Sequence, residues 1–144
     1  MLPSLISSYI NAGQLKFVWH DFTWIGEESR TSAQAARCAG QQGLFWGYHD
    51  TLYNSQRGYN QGQFSSGNLI GFATDLGLDT EAFSACLTAA EDAQAIRDDF
   101  SAGRSMGIVA TPVFIINGQH RVAGPQSFEF FSRMIESILA TGSP

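Results

Sequence analysis

The stretch TPVFIINGQHRVAG, residues 111–124, constrains the fold of this 144-residue chain more than any other segment. Two extended, apolar runs flank Asn117 and Gly118, the residue pair best suited to a type I′ turn, in which both residues take a positive φ. The segment therefore predicts a β-hairpin. Thr111 and Pro112 stand where its first strand begins, a position that tolerates the missing N–H of proline.

The chain before this hairpin reads as a helix, a strand and a long helical block. Apolar residues at three- and four-residue spacing predict a short helix over residues 3–11. The aromatic and β-branched run LKFVWHDF, residues 15–22, predicts a mostly buried strand with alternate residues on one face.

Helical patterning then extends from Ser29 to about Gly107. Gly77 is placed to end one helix, and Asp79 or Thr80 to cap a helix that continues to the end of the block. After the hairpin, an apolar stripe in SFEFFSRMIESILATG predicts a closing helix.

Composition excludes several classes of function. The hydrophobic share is 44% and the charged share 15%, which is typical of one folded domain. A net charge of −5 argues against binding to nucleic acid or to an anionic membrane. No apolar run is long enough to span a bilayer, and the N-terminus lacks a secretory signal, so the chain as written is expected in the cytoplasm.

Three stretches together resemble the DsbA-like disulfide oxidoreductases of the thioredoxin superfamily: AARCAGQQGLFWGYHDTLY, LGLDTEAFSACL and GIVATPVFIINGQHRVAG. The resemblance runs from about Leu2 to Gly142. It implies an α/β, thioredoxin-like fold with an inserted all-helical block. Residues 1–26 and 106–144 would form the thioredoxin-like portion, and residues 27–105 the insert.

The resemblance also implies a role for the segment before the hairpin. In that family the bond before this proline is cis and the loop holds the peptide substrate. Ala110, Thr111 and Pro112 are therefore the candidate peptide-binding loop. Members of the family work mostly outside the cytoplasm, in oxidising compartments.

The chain departs from the family at the redox motif. The family carries C-x-x-C at the N-terminus of a helix, where the helix dipole favours the thiolate that attacks a disulfide. Residues 3–11 correspond to the back half of that helix, so the first strand and the start of the redox helix are missing from this sequence. No catalytic residue is expected on this chain.

The chain has two cysteines, Cys38 and Cys86, and both lie in the helical block. They can be read as buried thiols that act as small hydrophobic side chains. They can equally be read as a structural disulfide, which would stabilise the fold by about 4 kcal/mol in the loop-entropy model. In either case we expect them close in space, with Cα atoms within about 7 Å if they can be bridged.

Other polar residues offer no recognisable chemistry. The histidines lack the spacing of a zinc site and are expected to be packing or surface residues: His20, His49 and His120. Four acidic residues are expected to form a solvated helix face: Glu91, Asp92, Asp98 and Asp99. Neither a metal nor a cofactor is expected, and no phosphate-binding or dinucleotide motif is present.

Three functional hypotheses remain. The first is a domain related to thiol–disulfide oxidoreductases that is redox-inactive as this chain, because the C-x-x-C is absent. The second is a non-catalytic module that binds a peptide by strand addition. The third is a relative of the kappa-type glutathione transferases, which share the architecture without needing C-x-x-C.

The partners expected from these hypotheses are cysteine-containing or extended polypeptides. We also expect a homodimer, formed near residues 1–22, that completes the sheet. Direct pairing of the two visible sheet segments is the alternative.

Overall fold

The computed structural model describes residues 1–142 of the chain, which divide into two compact units. The helical unit comprises His20–Met106. The terminal unit comprises Met1–Trp19 and the residues from Gly107 on. Each unit has its own cluster of buried apolar side chains.

The helical unit contains five helices: α2 (Glu27–Gln41), α3 (Phe45–Ser55), α4 (Ser66–Asp75), α5 (Thr80–Ala89) and α6 (Ala93–Ser105). Helix α2 contacts the other four. Its buried face consists largely of small residues, with Ala35 and Ala39 fully buried, so neighbouring helices can approach closely. Tyr48, Leu69 and Phe83 fill the centre of this core.

The prediction of one continuous helix after Asp79 was wrong. Helix α5 ends at Ala89, and Ala90 takes the left-handed conformation with φ 50°. Two acidic residues, Glu91 and Asp92, follow this break and precede α6, where negative charge is favoured by the helix dipole. The Asp79 cap is confirmed, because its carboxylate accepts hydrogen bonds from the N–H groups of Glu81 and Ala82.

The terminal unit begins with helix α1 (Leu2–Leu5), which continues as a π-helix (Ile6–Ile10). It ends with strand β1 (Val113–Ile116), strand β2 (His120–Ala123) and helix α7 (Phe128–Thr141). Its core cluster consists of buried side chains from α1, the π-helix, β2 and α7: Leu5, Tyr9, Val122, Phe131 and Ile135. The short first helix, the hairpin and the closing helix are all where the sequence predicted them.

Strands β1 and β2 form an antiparallel hairpin in which Phe114 pairs with Val122. Asn117 and Gly118 have φ values of 50° and 69°, the signs that a type I′ turn requires. The N–H of Gln119 donates to the carbonyl of Ile116 at 3.1 Å and closes the turn. The predicted hairpin is confirmed.

The predicted strand over residues 15–22 is not a strand in the structure. Residues 15–19 do alternate in exposure as a strand would, with Leu15 half-buried and Val18 55% exposed. A strand exists only through its ladder of backbone hydrogen bonds. Among the described residues the sheet has two strands, β1 and β2, so this segment lies outside it.

Candidate functional site

The candidate site begins at the segment that leads into β1. Ile108 is buried and holds this segment in place, whereas Val109 is 66% exposed. Ala110, Thr111 and Pro112 are all exposed, and the peptide bond between Thr111 and Pro112 is cis. Three consecutive residues of the loop are therefore exposed to solvent, and the buried side chain of Ile108 fixes the segment that precedes them.

Two hydrogen bonds tie this loop to the far strand of the hairpin. The guanidinium of Arg121 donates to the carbonyl of Gly107 at 3.1 Å. The N–H of Gly124 donates to the carbonyl of Pro112 at 2.8 Å, which extends the ladder one residue beyond β1. The carbonyl groups at the two ends of the loop, those of Gly107 and Pro112, thus both accept hydrogen bonds from residues of β2 or directly after it.

The register of the hairpin decides which way the backbone of β1 faces. Pro112 and Ile116 direct their carbonyls towards the β2 side. Backbone groups alternate in direction along a strand, so the N–H and C=O of Val113 and Ile115 point away from β2. Within residues 1–142, β1 has a ladder with β2 alone, which leaves these groups at the other edge beside the loop.

The two cysteines lie elsewhere, inside the helical unit. A disulfide joins Cys38 on α2 to Cys86 on α5, with Cα atoms 5.8 Å apart. Their exposures are 1% and 5%. Of the two readings that the sequence left open, the structure has the disulfide. Neither sulfur atom is part of the exposed loop.

This arrangement limits the chemistry available to the chain. Disulfide exchange requires an accessible thiolate, and both cysteines are joined to each other in the core. The loop and the edge of β1 offer backbone donors and acceptors instead. Such an edge can add a further extended strand.

Comparison with known proteins identifies the family. A family model described as Thioredoxin matches residues 1–137. The chain belongs to the thioredoxin family. The predicted thioredoxin-like fold with an inserted helical block is confirmed, and in this thioredoxin-family chain helices α2 to α6 lie within the helical unit.

A second match supports the DsbA-like character of this thioredoxin-family chain. It is 24% identical over 143 residues to "Probable disulfide bond formation protein D" of Bacillus anthracis. The match covers 96% of this chain and 64% of the Bacillus protein. The predicted membership of the DsbA-like group is therefore confirmed.

Other relatives are much longer proteins. The chain is 30% identical over 138 residues to Na(+)/H(+) antiporter NhaA 1 of Salinispora arenicola (strain CNS-205), a match that covers 94% of this chain and 20% of the antiporter. It is 29% identical over 106 residues to Na(+)/H(+) antiporter NhaA of Herminiimonas arsenicoxydans, covering 74% of this chain and 16% of that protein. The thioredoxin-family chain thus spans a fifth or less of these antiporters. No helix among its described residues is long and apolar enough to cross a membrane.

Sequence reasoning missed a charged cluster in the helical unit of this thioredoxin-family protein. Arg37 Nε donates to Asp21 Oδ2 at 2.7 Å, and Arg37 Nη2 donates to Asp99 Oδ2 at 2.8 Å. His20 Nδ1 lies 2.9 Å from the other oxygen of Asp99. The interpretation of Asp99 as part of a solvated face was wrong, because its carboxylate is mostly covered and bonded on both oxygens.

The electrostatics of this cluster favour its charged form. Burial alone lowers the pKa of Arg37, but the hydrogen bond and charge of Asp21, together with the charge of Asp99, raise it above its ordinary value. Arg37 therefore stays charged between two carboxylates, one of which, Asp21, is only 6% exposed. The cluster fixes the start of the helical unit against α2 and α6.

The other two histidines lie outside this cluster. His49 Nδ1 lies 2.9 Å from Asp50 Oδ1, and its ring packs against Tyr53 with centroids 4.7 Å apart. His120 is exposed at the start of β2. Among the described residues, no group of three or more potential metal-binding side chains comes together.

Proposed function

We propose that this chain is a polypeptide-binding domain of the DsbA-like type that does not itself exchange disulfides. The observation that carries the proposal is that the exposed loop and the two cysteines belong to different units of the chain. The loop Ala110–Pro112 is exposed, and among residues 1–142 no further strand pairs with the neighbouring edge of β1, whereas both sulfur atoms are joined in the core of the other unit.

Backbone geometry supports binding by strand addition. Thr111 is exposed, and the N–H and C=O groups of Val113 and Ile115 point to the same open edge. An extended peptide laid along this edge could form ladder hydrogen bonds with alternate residues, and main-chain bonds of this kind depend little on the peptide's side chains. The substrate class is therefore an unfolded or extended polypeptide.

The relatives support both the substrate class and the modular role. The Bacillus protein is named for disulfide bond formation, which points to cysteine-containing polypeptides as the bound class. The antiporter relatives are matched over about a fifth of their length, which supports a role as a module within a longer polypeptide.

The binding experiment uses Ile115→Pro. The N–H of Ile115 points away from β2, so its removal should spare the hairpin ladder while blocking peptide addition. Fluorescence anisotropy with labelled, reduced and alkylated insulin B chain measures binding. We expect Ile115→Pro to weaken binding at least tenfold.

The matched control for this experiment is Ala123→Pro on β2. Ala123 pairs with Val113 in the register, so its N–H points to the opposite edge of the hairpin. This control should bind like the unchanged chain. Equal binding by the unchanged chain and Ile115→Pro, with both folded by circular dichroism, would contradict strand addition at β1.

A separate assay tests the absence of exchange activity. We expect the chain to reduce insulin with dithiothreitol no faster than the Cys38→Ala/Cys86→Ala variant does. Turnover clearly above this cysteine-free control would overturn that half of the proposal. The peptide-binding half would be unaffected.

A further inference from the structure

The disulfide in the helical unit has a polar neighbour, Gln34. This residue lies one turn before Cys38 on α2 and is only 5% exposed. Its Nε2 lies 3.4 Å from Cys38 Sγ and 3.9 Å from Cys86 Sγ. Its Oε1 is buried and has no hydrogen-bond partner within the described part of the chain.

The oxidised pair cannot satisfy this amide. A carboxamide both donates and accepts hydrogen bonds, whereas the sulfur atoms of a disulfide carry no hydrogen and can only accept. Gln34 Oε1 therefore cannot accept a hydrogen bond from either sulfur of the disulfide. An unpaired buried acceptor is unfavourable, and the surrounding core, which includes Ala35, Ala39 and Phe83, supplies no donor to it.

Reduction gives the two sulfur atoms hydrogen-bond donors that the disulfide lacks. Two thiols carry two S–H donors in place of none, and each sulfur can still accept weakly. With the sulfurs no longer bonded, one S–H can donate to Oε1 while the Nε2 amide donates to the other sulfur. A neutral thiol also suits an apolar core, so reduction need not introduce a buried charge.

We propose that Gln34 is a positioning residue that stabilises the reduced form of Cys38 and Cys86, so that this pair is a reversible redox couple inside the helical unit. A small dithiol reductant, which reaches the buried sulfurs when the helical unit opens locally, would supply the two electrons and two protons. The S–S bond breaks, two S–H groups form, and the reductant becomes a disulfide. The couple is separate from the proposed peptide-binding loop and does not depend on it.

The first test compares the reduction equilibrium of three full-length proteins: the unchanged chain, Gln34→Met and Gln41→Met. Each is equilibrated in dithiothreitol redox buffers, the free thiols are trapped by alkylation, and the products are counted by mass. Methionine keeps the length of the side chain but removes the strong acceptor. We expect Gln34→Met to be about tenfold harder to reduce, which corresponds to a potential lower by about 30 mV.

Gln41→Met is the matched control because Gln41 lies on the same helix, and its amide donates to Glu91 and Asp92 rather than to sulfur. It should reduce like the unchanged chain. The proposal fails if Gln34→Met reduces within twofold of the unchanged chain. It also fails if Gln41→Met shifts the equilibrium as much as Gln34→Met does.

A second measurement needs no variant. Circular dichroism of the reduced, unchanged chain should retain its helical signal, and the side-chain amide resonances of Gln34 should shift on reduction as Oε1 gains a donor. Unfolding of the helical unit on reduction, or unchanged amide resonances, would overturn the proposal.

Discussion

Arg37 illustrates how one residue determines the state of several others. Its guanidinium lies between Asp21 and Asp99, and the backbone N–H of Asp21 also donates to Asp99 at 3.1 Å. Removing one partner from a covered ion pair costs more than the pair contributes, because the remaining charge stays in a poorly solvated place. The arginine is therefore a residue on which folding of the helical unit depends.

We expect Arg37→Met to lower the free energy of unfolding by about 2–3 kcal/mol, since it leaves the carboxylate of Asp21 covered without its guanidinium partner. Urea denaturation followed by circular dichroism measures the change. The matched control is Arg30→Met on the same helix, whose partner Glu27 is exposed. Its loss should stay within about 0.5 kcal/mol, and equal losses for the two variants would contradict the argument.

Tyr48 supplies a pH-dependent contribution. Its side chain is fully buried and its hydroxyl donates to the carbonyl of Leu69 at 2.8 Å. Burial raises the pKa of Tyr48 well above its ordinary value of 10.0. The unfolded chain therefore releases this proton first as the pH rises. The stability contributed by the neutral phenol is complete below about pH 10 and is lost above it.

We expect the free energy of unfolding to fall between pH 8 and pH 11, and to fall by about 1.4 kcal/mol less in Tyr48→Phe. At pH 8 the same variant should be less stable by about 1–2 kcal/mol, because the carbonyl of Leu69 loses its donor. Urea midpoints at the two pH values give both numbers. An alkaline loss of the same size in both proteins would show that Tyr48 does not contribute to it.

The N-terminal caps of α4 and α5 differ in whether the capping side chain makes hydrogen bonds to the helix. Asp79 accepts two backbone hydrogen bonds at the start of α5, both at 3.0 Å. Ser65 occupies the same position before α4 but makes no side-chain cap hydrogen bond. The identity of a capping residue therefore does not by itself show that the cap forms.

We expect Asp79→Ala to lower the free energy of unfolding by about 1 kcal/mol, because two N–H groups at the start of α5 lose their acceptor. Ser65→Ala should change it by no more than about 0.3 kcal/mol, since the serine side chain makes no cap hydrogen bond that alanine would lose. Thermal denaturation of the two variants side by side checks this. A larger loss for Ser65→Ala than for Asp79→Ala would reverse the assignment.

Elements encoded by neighbouring residues were the ones that the sequence could predict. The hairpin depends on Asn117 and Gly118, two adjacent residues whose backbone preferences are local. The break at Ala90 was not predictable in the same way, because alanine has no preference for the left-handed conformation, and α5 and α6 each pack against α2, which is distant in sequence.

The parts of the site that join distant residues could not be predicted from one sequence. Arg37 meets Asp21 across 16 positions and Asp99 across 62, and no spacing rule connects them. The sequence placed both cysteines in the helical block but could not choose between thiols and a disulfide. Residues 15–19 have the alternation of a strand, but whether they form one depends on a partner that local patterning does not specify.

The terminal unit has an open apolar groove beside its hairpin. A cavity of about 280 Å³ lies there, with an apolar lining that includes Leu15, Ile116, Ile135 and Leu139. The segment that contributes Leu15 alternates in exposure along residues 15–19. An extended segment with exposed apolar residues is a ready template for pairing with another chain.

We expect the chain to form a homodimer through residues 1–22, because the segment at 15–19 alternates in exposure as a strand does, and two copies of it can pair antiparallel about a two-fold axis. Light scattering at micromolar concentration measures the mass. Val18→Lys should shift the population to monomer, since a lysine at an exposed edge opposes pairing. Tyr59→Lys, at a still more exposed position in the helical unit, should leave the dimer intact. A monomeric, folded, unchanged chain at these concentrations would show that the edge needs no second copy.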